Sequence, residues 1–146
     1  MPLRSSKLGL RWTNRSIDIC TDQMRVLVVD DNHVAAEALE MVLALESIEC
    51  RTAFGGFEAI PIAIAWMPHA IIMDISMPGG TGIEAALILR QDERTSAIAI
   101  LAFTALDEAE VRRHLVGDEF DGSSASCRKV KEGLQNCCNR ERRVLL

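Results

Sequence analysis

Short apolar runs alternate with helix-spaced apolar positions along most of this chain. Arg25-Val-Leu-Val-Val29 is a continuous run with valine at three of its five positions. A strand buried on both faces of a parallel sheet reads this way. It stops at Asp30-Asp31-Asn32, and Val34, Ala38, Met41, Val42 and Leu45 follow at helical spacing. Ile48 to Ala53 is a second strand, interrupted by Glu49 and Arg51. Gly55-Gly56 makes a turn, and Phe57, Ile60 and Ile64 mark a helix to Trp66 with Pro61 in about its first turn. Pro68-His69 breaks that helix. Ala70-Ile-Ile-Met73 is apolar throughout, ends at Asp74, and runs into Met77-Pro78 and a glycine-rich turn closing at Gly82. Ile83, Ala86, Leu87 and Leu89 predict a helix to Arg90, and Gln91 to Ser96 a polar loop. Ala97 to Phe103 is another buried strand, with Thr104-Ala105 at its carboxyl end. Asp107-Glu108 opens a helix through Leu115 that Gly117 stops.

The order βαβαβαβα predicts an α/β fold, a doubly wound parallel sheet with helices on both faces. Right-handed crossovers restrict how it winds. Beyond Gly117 the pattern weakens. A fifth strand is due after Phe120-Asp121-Gly122, yet Ser123-Ser124-Ala125-Ser126 are small, mostly polar residues of low strand propensity. Val130, Leu134, Cys137 and Cys138 form one stripe of a last helix, with Arg140, Arg142 and Arg143 complementing its negative end. The chain therefore divides into an extension over residues 1–23, a domain over 24–130, and a last helix and tail over 131–146. The extension is basic at Arg4, Lys7, Arg11 and Arg15, with no acid before Asp18 and no apolar core of a secretory signal. It reads as disordered, and Met24 is an alternative start.

Composition adds limits. At 146 residues, 49% hydrophobic and 25% charged, the chain suits one soluble globular domain. A net charge of -5 argues against bulk attraction to nucleic acid. No apolar run approaches the roughly 20 residues of a membrane helix. Five cysteines (Cys20, Cys50, Cys127, Cys137, Cys138) without C-x-x-C spacing read as reduced cytoplasmic thiols.

The candidate chemistry lies where strands end. In open α/β sheets, ligands bind outside the carboxyl ends of the strands. The first, third and fourth runs end in Asp30-Asp31, Asp74 and Thr104. Helix capping explains one of the paired acids but does not need both. Three carboxylates in one pocket repel and raise their pKa values unless a cation joins them. An oxygen-only donor set suits Mg2+, which favours one or two carboxylates and a phosphate. A carboxylate is also a competent nucleophile towards phosphorus, and the Thr104 hydroxyl is placed to bond a phosphoryl group formed on Asp74. His33 reads as an exposed residue of the first helical turn and takes no role.

With Val26-Leu-Val-Val-Asp-Asp-Asn32, Met73-Asp-Ile-Ser-Met-Pro78 with Gly82, Phe103-Thr-Ala105 and Phe120-Asp-Gly122, the sequence resembles the receiver domain of two-component response regulators. The resemblance covers about Met24 to Gly122. It implies a five-stranded, doubly wound, flavodoxin-like fold with Asp74 as phosphoacceptor, fed by a histidine kinase or histidine phosphotransfer protein. It also implies that Asp31, Asp74 and the Ser76 backbone carbonyl ligate Mg2+, that Asp30 acts through water, and that Thr104 is the switch hydroxyl. The family's lysine at the end of the fifth strand has no direct match. Spacing puts Ser126 near that position, Lys129 falls three residues later with Val130 where proline is usual, and the family's switch aromatic is missing. An insertion at Ser123 to Ser126 would restore the role to Lys129.

The leading expectation is a stand-alone phosphoacceptor switch, a signalling domain rather than an enzyme. Its output would be protein–protein contact or onward phosphoryl transfer, because the 24 residues after Gly122 are too few for a helix-turn-helix domain. The alternative is a receiver-like docking module that does not switch on phosphorylation. A phosphohydrolase of the haloacid dehalogenase type would need an acid where Ser76 stands. Gly79-Gly80-Thr81-Gly82 is neither a dinucleotide fingerprint nor a P-loop.

Overall fold

A computed structural model describes residues 23–75, 77–78, 81–104, 113 and 119–124. The elements follow the apolar pattern closely. They are β1 (Arg25–Val29), α1 (His33–Ala44), β2 (Glu49–Ala53), α2 (Gly56–Trp66), β3 (Ala70–Asp74), α3 (Thr81–Gln91), β4 (Ala99–Phe103) and β5 (Gly122–Ser124). Five strands form one parallel sheet in the order β2-β1-β3-β4-β5. The order reverses direction at β1 and β3, so a crevice opens between their carboxyl ends.

The sheet separates two apolar layers. Leu27, Val29, Ile71, Met73 and Ile100 face α2 and α3. Val26, Val28, Ile72 and Leu101 face Ala36, Leu39 and Leu43 of α1. Each of β1, β3 and β4 is covered on both sides, which is why each reads as an unbroken apolar run. The second strand is an edge strand, and its interruptions have a use. Charge on an edge discourages pairing with other chains, and Glu49 and Arg51 are both exposed. Arg51 lies 4.8 Å from the centre of a Trp66 ring and Arg25 lies 6.0 Å from one, so this indole is flanked by two guanidinium groups.

Pro61 is the sixth residue of α2. It stands in the helix interior rather than its first turn, and removes the hydrogen bond its nitrogen would give the preceding turn. The α2 helix closes at Met67 with a left-handed backbone, φ 54 and ψ 62.

The fifth strand is the least expected from propensity. It pairs Leu101 with Gly122, Ala102 with Ser123 and Phe103 with Ser124. The reason lies just before it. Asp121 is fully buried and its Oδ2 accepts from Arg90 Nη2 at 2.6 Å and from the Ile100 N–H at 2.8 Å. The Asp121 N–H donates to Ile100 O at 2.6 Å. Arg90 Nη1 donates to the carbonyls of Ser96 and Ile98. One carboxylate thus fastens the start of β5 to β4 and to the end of α3. The helix expected over Asp107–Leu115 falls outside the described residues except for Arg113, which is helical. Residues 1–22, Ser126, Lys129 and the last helix also lie outside them.

Candidate functional site: an acidic crevice at the sheet's carboxyl edge

The side chains of Asp30, Asp31 and Asp74 converge at the carboxyl ends of β1 and β3. Each offers a carboxylate oxygen, and these oxygens lie within 4.8 Å of one another. Backbone pairing creates this proximity. Val29 is in register with Met73, so the residues after them, Asp30 and Asp74, come side by side at the sheet's edge. Asp30 is buried, Asp74 half-buried and Asp31 exposed, a graded opening to solvent.

Neither aspartate of the pair is the helix cap. Asn32 is the N-cap of α1, its Oδ1 accepting the Ala35 N–H at 3.2 Å. Capping therefore leaves both aspartates free for the crevice. Asp30 Oδ1 accepts the Asn32 N–H at 2.9 Å, which fixes its carboxyl inward. Burial pushes the Asp30 carboxyl up to about 6, aided by the charge and hydrogen-bonding contact of Asp74 and by the charge of Asp31, against the opposing Asn32 N–H. Asp30 thus holds its proton more tightly than an ordinary carboxyl, and a divalent cation would take that proton's place. The set is all hard oxygen, with no nitrogen or sulfur donor, and fits Mg2+.

The loop after Asp74 is pinned at two of its three described positions. Ile75 and Met77 are buried while Pro78 is exposed. Gly82 lies in the first turn of α3 and presses against this loop. A Cβ there would lie 2.6 Å from the Asp74 carbonyl oxygen and 3.3 Å from Met77 Cε. Only a glycine permits this approach of helix to loop.

Asp74 pairs with Phe103 across β3 and β4, so Thr104 follows at the same edge, buried at 5% exposure. Asp30, Asp31, Asp74 and Thr104 thus stand where strand ends placed them. Ser76 and Lys129 lie outside the described residues. Two features gave no usable sequence signal. The His33 ring stacks on Phe54, with centroids 3.7 Å apart and planes 16° apart. The Arg90–Asp121 pair joins residues 31 positions apart, and no local pattern announces it.

The family model described as the response regulator receiver domain matches residues 26–122. The chain belongs to this family. Receiver domains are the phosphoacceptor modules of two-component signal transduction. They are signalling domains rather than ordinary enzymes, they bind Mg2+ at an acidic site, and they interact with histidine kinases or phosphotransfer proteins. The receiver is 37% identical over 83 residues to the response regulator PleD of Caulobacter vibrioides, a match covering 57% of this chain and 18% of PleD. It is 32% identical over 84 residues to protein PilH of Pseudomonas aeruginosa, covering 58% of this chain and 69% of PilH. The chain matches less than a fifth of PleD and 36% of the Synechocystis transcriptional regulator RpaA. Among solved structures, the Vibrio cholerae chemotaxis protein CheY4 superposes with a TM-score of 0.70 at 24% identity, covering 79% of this chain and 98% of CheY4. The receiver domain of the Pseudomonas aeruginosa sensor histidine kinase PA1611, solved with magnesium in its active-site cleft, gives 0.71 at 23% identity over 79% of this chain and 97% of its own. These likenesses establish the flavodoxin-like receiver fold.

Proposed function

We propose that this receiver accepts a phosphoryl group on the Asp74 carboxylate, from a histidine kinase or histidine phosphotransfer protein, and signals by protein–protein contact. The observation that carries the assignment is the convergence of three carboxylates at the crevice, with Asp74 on the central strand. Asp74 is half-buried, so it remains open to an incoming phosphorus atom. One of its oxygens attacks phosphorus and the donor nitrogen leaves in line. Asp31, Asp74 and the Ser76 carbonyl would hold Mg2+, with Asp30 acting through water. When bound, the ion supplies neutralisation of charge on the transferring group. Asp30, held by the Asn32 N–H, fixes the inner wall of the crevice. Thr104 serves as the switch hydroxyl, bonding the phosphoryl oxygens once they are present. Lys129 is the remaining candidate for the pairing cation. The cytoplasm, where phosphohistidine donors act, is the proposed location.

The test is intact-protein mass after incubation with acetyl phosphate and Mg2+, with hydrogen exchange on the same samples. Wild type should gain a labile phosphoryl adduct, and Asp74→Asn should gain none. Thr104→Ala should keep the adduct and lose most of the change in exchange protection. Uptake persisting in Asp74→Asn would sink the acceptor assignment.

A further inference from the structure

The short turn that carries the acid pair, Asp30 to His33, is tied to the neighbouring strand at both ends. At the first end the Asp30 N–H donates to the carbonyl of Ala53, the last residue of β2, at 3.1 Å. At the other end the ring of His33, the first residue of α1, lies on the ring of Phe54, which follows Ala53 in the chain. The centroids are 3.7 Å apart and the planes 16° apart, so the two rings are stacked.

Phe54 is the anchored partner of this stack. Its side chain packs against the apolar cluster that includes Val28, Ala36 and Leu39. Its N–H donates to Glu58 Oε2 at 3.1 Å, which ties it to the first turn of α2. His33 is exposed, and its ring rests on this platform.

Between the two ties stands Asp31. The neighbours on either side of it are held by their own bonds. The Asp30 carboxyl accepts the Asn32 N–H, and the Asn32 side chain caps α1. Asp31 is exposed, and among the described residues no hydrogen bond reaches its carboxylate. That carboxylate nevertheless lies within 4.8 Å of those of Asp30 and Asp74. Like charges repel, and open solvent offers it a way out. Its place in the cluster therefore depends on the backbone to either side of it.

We propose that His33 is a positioning residue for the Mg2+ site. Stacked on Phe54, it holds the turn so that the exposed Asp31 carboxylate stays beside Asp74. The inference rests on the reading of Asp31 and Asp74 as Mg2+ ligands. It gives a use to a histidine that the sequence marks only as exposed. In this role His33 need touch neither the ion nor the phosphoryl group, and its ring, not its proton, does the holding. A stack that served folding alone would raise the melting temperature and leave Mg2+ affinity where it was.

Mg2+ titration of the full chain, followed through the amide NMR signals of Asp30, Asp31 and Asp74, reads the dissociation constant without phosphoryl transfer. Circular dichroism melting sets a temperature at which every variant is folded. His33→Ser should raise the constant roughly 3- to 10-fold, the span that one aromatic contact can convey. His33→Phe keeps a ring and discards the imidazole's polarity, and should bind Mg2+ as the wild type does. Phe54→Leu keeps an apolar side chain on the core cluster, and should weaken binding as His33→Ser does. The double variant His33→Ser/Phe54→Leu should be no weaker than either single one, because both remove the same contact. The Mg2+ concentration for half-maximal uptake from acetyl phosphate should rise by the same factor in each weakened variant. An unchanged constant in His33→Ser, His33→Phe as weak as His33→Ser, or additive losses in the double variant would overturn the positioning role and leave Asp74 as acceptor. A wild type without saturable Mg2+ binding at these amides would remove the metal reading, and the role of His33 with it.

Discussion

At the scale of single residues, the crevice depends on side chains that do not react. Gly82 is the clearest case. Replacing it with alanine puts a carbon 2.6 Å from the Asp74 carbonyl oxygen, far inside contact distance. Backbone rather than a flexible side chain must yield, so Gly82→Ala should cost about 1–3 kcal/mol. Because the yielding atom belongs to the acceptor residue, phosphoryl uptake from acetyl phosphate should slow as well. Urea unfolding and uptake rates measured together check this, and unchanged values for both would refute it. The sequence displays Gly82 only as part of a glycine-rich turn. Its close approach to Asp74 depends on where α3 lands, which no local pattern states. Asp30, Asp31 and Asp74 were legible because each sits directly after an apolar run. The role of Asn32 as the cap, leaving both aspartates to the crevice, needed the hydrogen bonds themselves.

At the scale of elements, legibility follows burial. The strands β1, β3 and β4 are covered on both faces and announce themselves as apolar runs. The strand β2 is blurred because an edge tolerates charge. The strand β5 is almost silent, because Gly122-Ser123-Ser124 are held by a neighbour rather than by their own preference. That neighbour is Asp121, buried and paired with Arg90, itself 10% exposed. Removing one partner of a buried pair leaves the other charge uncompensated and typically costs 3–5 kcal/mol. Asp121→Asn should therefore lower stability by about that amount, measured by chemical denaturation. Hydrogen exchange should locate the loosening at β4 and β5. A loss spread evenly over the sheet, or none, would contradict the fastening role.

For the molecule as a whole, the crevice stores unfavourable charge. Asp30 has an ordinary value of 3.8 and is raised to about 6 in the fold. Between those values the folded state binds a proton that the unfolded state has released. Stability contributed by this group is therefore full below about pH 4 and declines as pH rises towards 6. Melting temperatures in a chelator should show this decline in wild type relative to Asp30→Asn, and Mg2+ above pH 6 should recover part of it. Proton and cation compete for the same oxygens, so Mg2+ affinity should weaken as pH falls below 6. A titration with no pH dependence in that range would rule the competition out. The opposite end of the sheet has a different kind of consequence. Trp66 has the guanidinium groups of Arg25 on β1 and Arg51 on β2 within 6.0 Å of its rings. Indole emission responds to nearby charge, so the colour and intensity of its fluorescence register whether the edge strand is docked. With Trp12 replaced by phenylalanine, leaving Trp66 as the one indole of the chain, the fold contains its own optical gauge of edge fraying, readable without a label.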